Sequence, residues 1–211
     1  MIDPELGPGL AEVSGRSVSR ETVEVLERFV ALIRSESQRQ NLVSASSLAH
    51  LWDRHILDSA QLVRFEPAEG SAWLDIGSGA GFPGLVIAAL VTGPVVLVEP
   101  RRLRAEFLAR AITELCLGSR VSVAASTAEK LTGRFAVITA RAVAPLDRLL
   151  GISTHLSTRK SIWVLPKGQS AQSELVEARR NWHCEATTVP SLTDPASRIL
   201  LLRNVRPRGG R

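Results

Sequence analysis

The stretch "LDIGSGAGFPG", Leu74 to Gly84, decides how the chain is read: four glycines follow directly on the apolar run "AWLDIG". Glycines crowd in this way where the backbone must take φ > 0 or come close to a ligand. A strand running into such a loop and then into a helix, over "GLVIAAL", is the opening of a nucleotide-binding α/β unit. Outward from the loop the pattern repeats. "VVLVEP", "RVSVAA", "FAVITAR" and "SIWVLPKG" read as further strands. Between them lie helical stretches at Arg101 to Leu117, Leu146 to Gly151 and Ala171 to Asn181. "CEATTVP" and "RILLLRNV" close the chain as an antiparallel pair. Alternation of this kind predicts a doubly wound, mostly parallel seven-stranded sheet with an antiparallel C-terminal edge.

Upstream of the loop the periodicity is helical. Val23, Leu26, Phe29, Val30 and Ile33 recur at helical spacing within Ser19 to Arg34, with Ser19 as an N-cap candidate and Thr22 competing for that role. A second helical pattern runs from about Ser46 to Val63. The expected organisation is a flexible N-terminus over residues 1–18, a helical extension over 19–68, the nucleotide-binding domain over 69–205 and a basic, mobile tail over 206–211.

Composition bounds the function classes. The 211 residues carry a net charge of +5, and 23 of the 26 basic residues are arginine, a balance compatible with a polyanionic partner. Cys116 and Cys184 stand in no metal-binding or disulfide pattern and read as small core residues, so no metal site is expected. The N-terminus has no apolar segment typical of a signal peptide, and the longest uncharged run, Phe82 to Val98, is cut by Gly93 and Pro94. A cytoplasmic protein with no membrane partner is the expectation.

Three ligands compete for the loop. A nucleoside triphosphate is excluded, because its phosphate loop needs a lysine after the glycines. A nicotinamide dinucleotide is harder to dismiss. Gly79, Gly81 and Gly84 satisfy G-x-G-x-x-G, and Glu99 lies 20 positions after Gly79, where a ribose-binding carboxylate belongs. S-Adenosylmethionine (AdoMet) is favoured by Asp75, whose carboxylate before the glycines suits a cationic ligand and repels a pyrophosphate. Pro83 removes one amide from a phosphate cradle. Ala128 and Glu129, after the third strand, stand where an adenine contact is expected. Glu99 suits either cofactor. An NAD-dependent oxidoreductase and a non-catalytic AdoMet-sensing RNA-binding protein therefore remain as rivals to a methyltransferase.

Further segments carry a more specific likeness. "NLVS" (Asn41 to Ser44), "RHILDS" (Arg54 to Ser59), "LVEPRRLRAEFL" (Leu97 to Leu108), "TARAVAPL" (Thr139 to Leu146), "LPKGQ" (Leu165 to Gln169) and "RILLLR" (Arg198 to Arg203) flank the glycine loop in order. Over Ser19 to Val205 the chain resembles the GidB family, the bacterial 16S rRNA guanine-N7 methyltransferases of the small ribosomal subunit. The resemblance implies a Rossmann-like class I AdoMet-dependent methyltransferase with an N-terminal helical extension. It implies AdoMet contacts at Gly77, Phe82, Glu99, Ala128 and Glu129, with Arg141 bordering the cofactor and the guanine; Asp75, Gly79 and Gly81 join the cofactor set from the reading of the loop itself. It places Arg54, His55, Asp58, Lys167 and Arg198 on the RNA side, and 16S rRNA or the small-subunit particle as the partner of a monomer. Departures from the family pattern are Glu36-Ser37 where Trp-Asn is usual, Thr127 where arginine is usual, and Gln40 in place of a tyrosine.

Guanine N7 has a free lone pair and no proton to lose, so such a reaction needs no general base and rests on positioning. Arg54 and Asp58, at i and i+4, are expected to pair on a helix surface. Lys167 and Arg141 follow strands at the ligand edge of the sheet, and Arg198 joins them there if its strand is antiparallel. Arg101, Arg102 and Arg104 read as a solvated helix start.

Overall fold

A computed structural model describes residues 6–209. The seven strands are β1 (Trp73–Ile76), β2 (Val95–Val98), β3 (Val121–Ala124), β4 (Val137–Ala140), β5 (Ile162–Lys167), β6 (Trp182–Pro190) and β7 (Arg198–Pro207). They form one sheet in the order β3-β2-β1-β4-β5-β7-β6. β1 to β5 are parallel, and β7 lies antiparallel between β5 and β6. All four residues of β1 and of β4 are buried, as strands covered on both faces must be. From β1 the chain winds through β2 to β3, then returns to β4 on the other side. The crevice this reversal opens lies at the carboxyl ends of β1 and β4. In the antiparallel register Lys167 and Arg198 are direct partners, so both stand at that edge.

Side-chain alternation divides the core between the two faces. Trp73, Val95, Val137 and Val164 join a cluster with Leu85 and Phe107 of α5 (Gly84–Leu90) and α6 (Arg102–Glu114). Leu74, Ile76, Ile138 and Trp163 point the other way, onto Leu149 and Leu175 of α7 (Leu146–Ser153) and α8 (Ala171–Ala178).

Leu10, Leu26, Phe29 and Ile33 of α1 (Leu6–Ser14) and α2 (Arg20–Glu36) belong to the first cluster, so the helical extension shares a core with the sheet. Ser19 caps α2 by accepting from the Thr22 N–H at 3.2 Å. Glu36, one of the departures from the family pattern, accepts from Arg110 at 2.5 Å and from the Gln40 amide at 2.8 Å, and so ties α2 to α6.

Several expectations need correction. A flexible segment over residues 1–18 does not hold for Leu6–Ser14, which is helical because Leu10 is fully buried against the extension; residues 1–5 lie outside the described residues. The second helical pattern is not one α-helix. It divides into α3 (Ala45–Leu48), a π-helical stretch Trp52–Leu57, α4 (Asp58–Ala60) and a 3₁₀ turn Gln61–Phe65. The basic tail expected over 206–211 starts inside β7, and the Arg208 N–H donates to the Asn181 carbonyl at 2.6 Å; residues 210 and 211 lie outside the described residues. Cys116 is exposed, not core, because it turns the chain out of α6 at φ 57°, and Cys184 is half-buried, packed against the margin of the second cluster.

Candidate active site

The glycine loop leaves β1 at the crevice, and positive φ is a requirement there: Gly77 stands at 69°, Gly79 at 56° and Gly81 at 97°. Gly77 and Gly79 are half-exposed, whereas Gly81 is buried. A Cβ on Gly81 would lie 2.7 Å from Leu85 and 3.0 Å from Phe29, so packing accounts for this glycine without a ligand. Gly84 is likewise hemmed in by Leu97 and Asp75.

Five of the loop's amides are occupied. The Gly77 and Ser78 N–H groups donate to the Val98 carbonyl, and that of Gly81 to Ser78. The Gly79 N–H donates to Glu99 at 2.9 Å, and the Gly84 N–H to Asp75 at 3.1 Å. A dinucleotide pyrophosphate is held by loop amides such as these. With five of them committed inside the protein, and two carboxylates beside the loop, the site does not fit a pyrophosphate. It does fit a cationic nucleoside such as AdoMet, for which the half-exposed Gly77 and Gly79 leave room.

Both carboxylates are buried. Burial pushes the Asp75 carboxyl up to about 7, partly opposed by hydrogen bonds from Ser78 and Gly84 and by the Arg141 charge. One Asp75 oxygen, Oδ1, has no partner within the protein. Glu99, at the end of β2, spends its other oxygen on the Arg101 N–H at 2.8 Å. Its visible task is therefore to brace the loop. Ala128 is buried and Glu129 exposed in a short turn (Ala128–Lys130) after β3.

Phe82 links the loop to the extension. Its ring stacks on His55 at 4.8 Å and 23°, lies 5.0 Å from Phe29, and carries the Arg141 guanidinium 5.4 Å from its centroid. Arg141, just past β4, also lies 3.0 Å from His55 Nδ1 and 3.6 Å from Asp58 Oδ2. Arg141 only donates, so Nδ1 accepts and the imidazole proton sits on Nε2, a buried atom with no partner. Burial, then the charges of Arg141 and Arg54, push the His55 pKa down to about 4.

The expected Arg54–Asp58 pair is not formed. Arg54 is exposed, and the Asp58 carboxylate turns inward to Arg141, the Gln61 amide (2.9 Å) and the Thr193 hydroxyl (3.1 Å). An exposed i,i+4 pair is worth a few tenths of a kcal/mol, about, and a half-buried cation with two hydrogen bonds outweighs it. The predicted helix start at Arg101 to Arg104 is confirmed as α6, where Arg102 pairs with Glu106 at 2.6 Å.

Next to the loop lies a cavity of about 540 Å³, walled by Asp58, Arg141, Val143, Lys167, Glu174 and Arg198 among others. It brings together four of the six residues predicted from opposite ends of the chain for the cofactor–RNA boundary: Asp58, Arg141, Lys167 and Arg198. A second cavity, of about 550 Å³, holds Arg54 and His55 and shares Asp58. Val143 connects loop and cavity, since a Cβ on Gly77 would lie 2.6 Å from its methyl. Lys167 pairs with Glu174 at 2.8 Å, and Arg198 donates to the carbonyls of Pro195 (2.7 Å) and Ser197 (2.8 Å). Sequence reasoning missed Gln61 and Glu174; a glutamine set between Ala60 and Leu62 in the helical pattern was the signal for the first.

Strand order, crevice and glycine loop together define a class I methyltransferase of the AdoMet-dependent kind. Solved structures share the fold: cofactor-bound Rv0187 from MTB (TM-score 0.59, 17% identity, 86% of this chain and 90% of that one) and a putative O-methyltransferase from Klebsiella pneumoniae (0.55, 15%, 85% and 90%). More particularly, the profile of the GidB family, described as rRNA small subunit methyltransferase G, matches residues 22–200, and the chain belongs to that family. Relatives named ribosomal RNA small subunit methyltransferase G include those of Zymomonas mobilis (43% identity, 90% of each chain) and Novosphingobium aromaticivorans (47%, 92% of this chain and 89% of that one). Among the described residues no helix is long and apolar enough to cross a membrane, and no cluster of metal-ligating side chains occurs.

Proposed function

We propose that this chain methylates N7 of a guanine in 16S rRNA, with AdoMet on the glycine loop and the guanine in the neighbouring cavity. The observation that carries the reading is the state of the cavity's acid–base groups. Asp58 is held by Arg141, Gln61 and Thr193, and Glu174 accepts from Lys167, Ser170 (2.7 Å) and the Leu146 N–H (3.0 Å). His55 has its Nδ1 lone pair on Arg141 and its remaining nitrogen protonated. Asp58, Glu174 and His55 are thus committed, which suits an acceptor that has no proton to lose.

AdoMet would supply a methyl group on a sulfonium: the N7 lone pair would form the new bond to the methyl carbon in line as the carbon–sulfur bond breaks and its electrons stay on the sulfur. The chain's own part is orientation. Gly77 and Gly79 admit the cofactor, with Glu99 beneath it and Asp75 adding negative charge as it ionises at about 7. Phe82, clamped by His55 and Arg141, closes the loop side, while Arg141, Lys167 and Arg198 turn positive charge toward RNA. The guanine leaves its stack to reach the cavity. Ala128 and Glu129 take the adenine side, and Arg54, His55 and Asp58 form the wall contributed by the extension. Residues 69–205 act as the methyltransferase domain and 19–68 as its helical wall, in a cytoplasmic monomer acting on 16S rRNA or the small-subunit particle.

The test is transfer of labelled methyl from AdoMet to free 16S rRNA and to small-subunit particles. N7-methylguanine is then located by borohydride and aniline cleavage. Label at one guanine with strand cleavage there is expected. Label on an exocyclic amine, or AdoMet binding without transfer to either substrate, overturns the reading; the second outcome is that of the AdoMet-sensing alternative.

A further inference from the structure

Gln61 is a glutamine only 1% exposed, within the 3₁₀ turn of the extension, where an apolar residue would pack at less cost. Its hydrogen bonds reach across more than half the chain to the loop between β6 and β7. Oε1 accepts from the Leu192 N–H at 2.8 Å; Nε2 faces the hydroxyls of Ser191 (3.0 Å) and Thr193 (3.1 Å). The same Nε2 donates to Asp58 Oδ1, which also accepts from Thr193. The other Asp58 oxygen faces Arg141. That loop walls both cavities: Ser191, Ser197 and Arg198 line the first, Thr193, Asp194 and Ser197 the second. With Ser191 and Thr193 turned inward, Leu192 between them is left 59% exposed on a fixed mount.

We propose that Gln61 is a positioning residue for RNA: it fixes the Ser191–Ser197 loop as the wall against which the RNA around the target guanine seats, and through Asp58 keeps that wall in register with Arg141. The inference rests on the guanine-cavity reading above. A buried amide is a suitable device because it holds one arrangement only. Shifting the loop leaves its donors and acceptor unpaired in the core, where each unmet group is costly. Apolar packing alone would let the loop slide.

The test is single-turnover methyl transfer against RNA concentration, with AdoMet saturating, for Gln61→Leu and Thr193→Val. Gln61→Leu keeps the volume and removes every hydrogen bond to the loop. Thr193→Val acts from the half-buried loop side and serves if the first variant does not fold. The RNA concentration at half-maximal rate is expected to rise about tenfold, as losing one well-placed polar interaction does. The maximal rate and the calorimetric AdoMet affinity should stay within about twofold of wild type. A merely structural role would lower the active fraction and leave the half-saturating concentration where it was, which overturns the proposal. An equal loss of AdoMet affinity overturns it as well, by placing the loop on the cofactor side. Arg198→Ala in parallel separates the two readings. If it weakens RNA saturation while folded Gln61→Leu and Thr193→Val do not, the positioning role fails and the cavity assignment stands. If none of the three moves it, the cavity assignment itself fails.

Discussion

Replacing Asp75 by asparagine tests how the protein holds charge beneath its glycine loop. Asp75 is buried, with Oδ2 on the Gly84 N–H and Oδ1 unpartnered, and its carboxyl is pushed from an ordinary 3.8 up to about 7. An acid whose pKa is raised by folding stabilises the folded state below the unfolded value and loses that contribution as pH rises through the folded one. Between 3.8 and about 7 the unfolded chain ionises while the folded protein keeps its proton, at about 1.4 kcal/mol per pH unit, or roughly 4 kcal/mol in all. Asparagine keeps an acceptor for Gly84 and does not titrate. Urea unfolding of both proteins without AdoMet, from about pH 4 to about pH 8.5, reads the difference directly. Asp75→Asn should gain on wild type with rising pH, by up to those few kcal/mol, and the gain should level off above about pH 7. A difference constant across that range would show that Asp75 is ionised throughout, and would refute the argument from burial.

Gly79→Val should abolish AdoMet binding in a folded protein, since a β-branched residue at φ 56° is strained and its side chain stands in the cleft; near-wild-type affinity by calorimetry would remove the cofactor from this loop. The single-turnover rate, with RNA and AdoMet saturating, should show no limb that depends on His55 from about pH 6 to about pH 8.5, because burial and neighbouring charge push the His55 pKa down to about 4 and it has no lone pair to offer. A rise of about tenfold near the ordinary histidine pKa that vanishes in His55→Ala would show general-base catalysis, and with it an acceptor other than N7.

The fold was legible because its signals are local. The glycine loop after "AWLDIG", the alternation of strands and helices, and the antiparallel ending are all written in neighbouring residues, and from them follow the crevice, the edge shared by Lys167 and Arg198, and Arg141 beside the loop. Ser19 as the α2 cap was legible for the same reason. The extension was read less well. Its second helical pattern has apolar residues at helical spacing, but spacing does not distinguish a continuous α-helix from the π and 3₁₀ turns that flank Asp58 and carry His55 and Gln61. Partner choice was decided only by the tertiary structure. Asp58 has Arg54 one turn away, yet bonds to Arg141, Gln61 and Thr193; Glu99, placed by its spacing as a ribose ligand, also accepts from Gly79 and Arg101 within the protein. Gln61 meets residues about 130 positions downstream. The physical reason is the same in each case. Periodicity and turn chemistry act over a few residues and set which elements form, whereas a buried polar group takes the partner that the crossing of distant segments brings within 3 Å, since leaving it unmet costs more than any local pair returns.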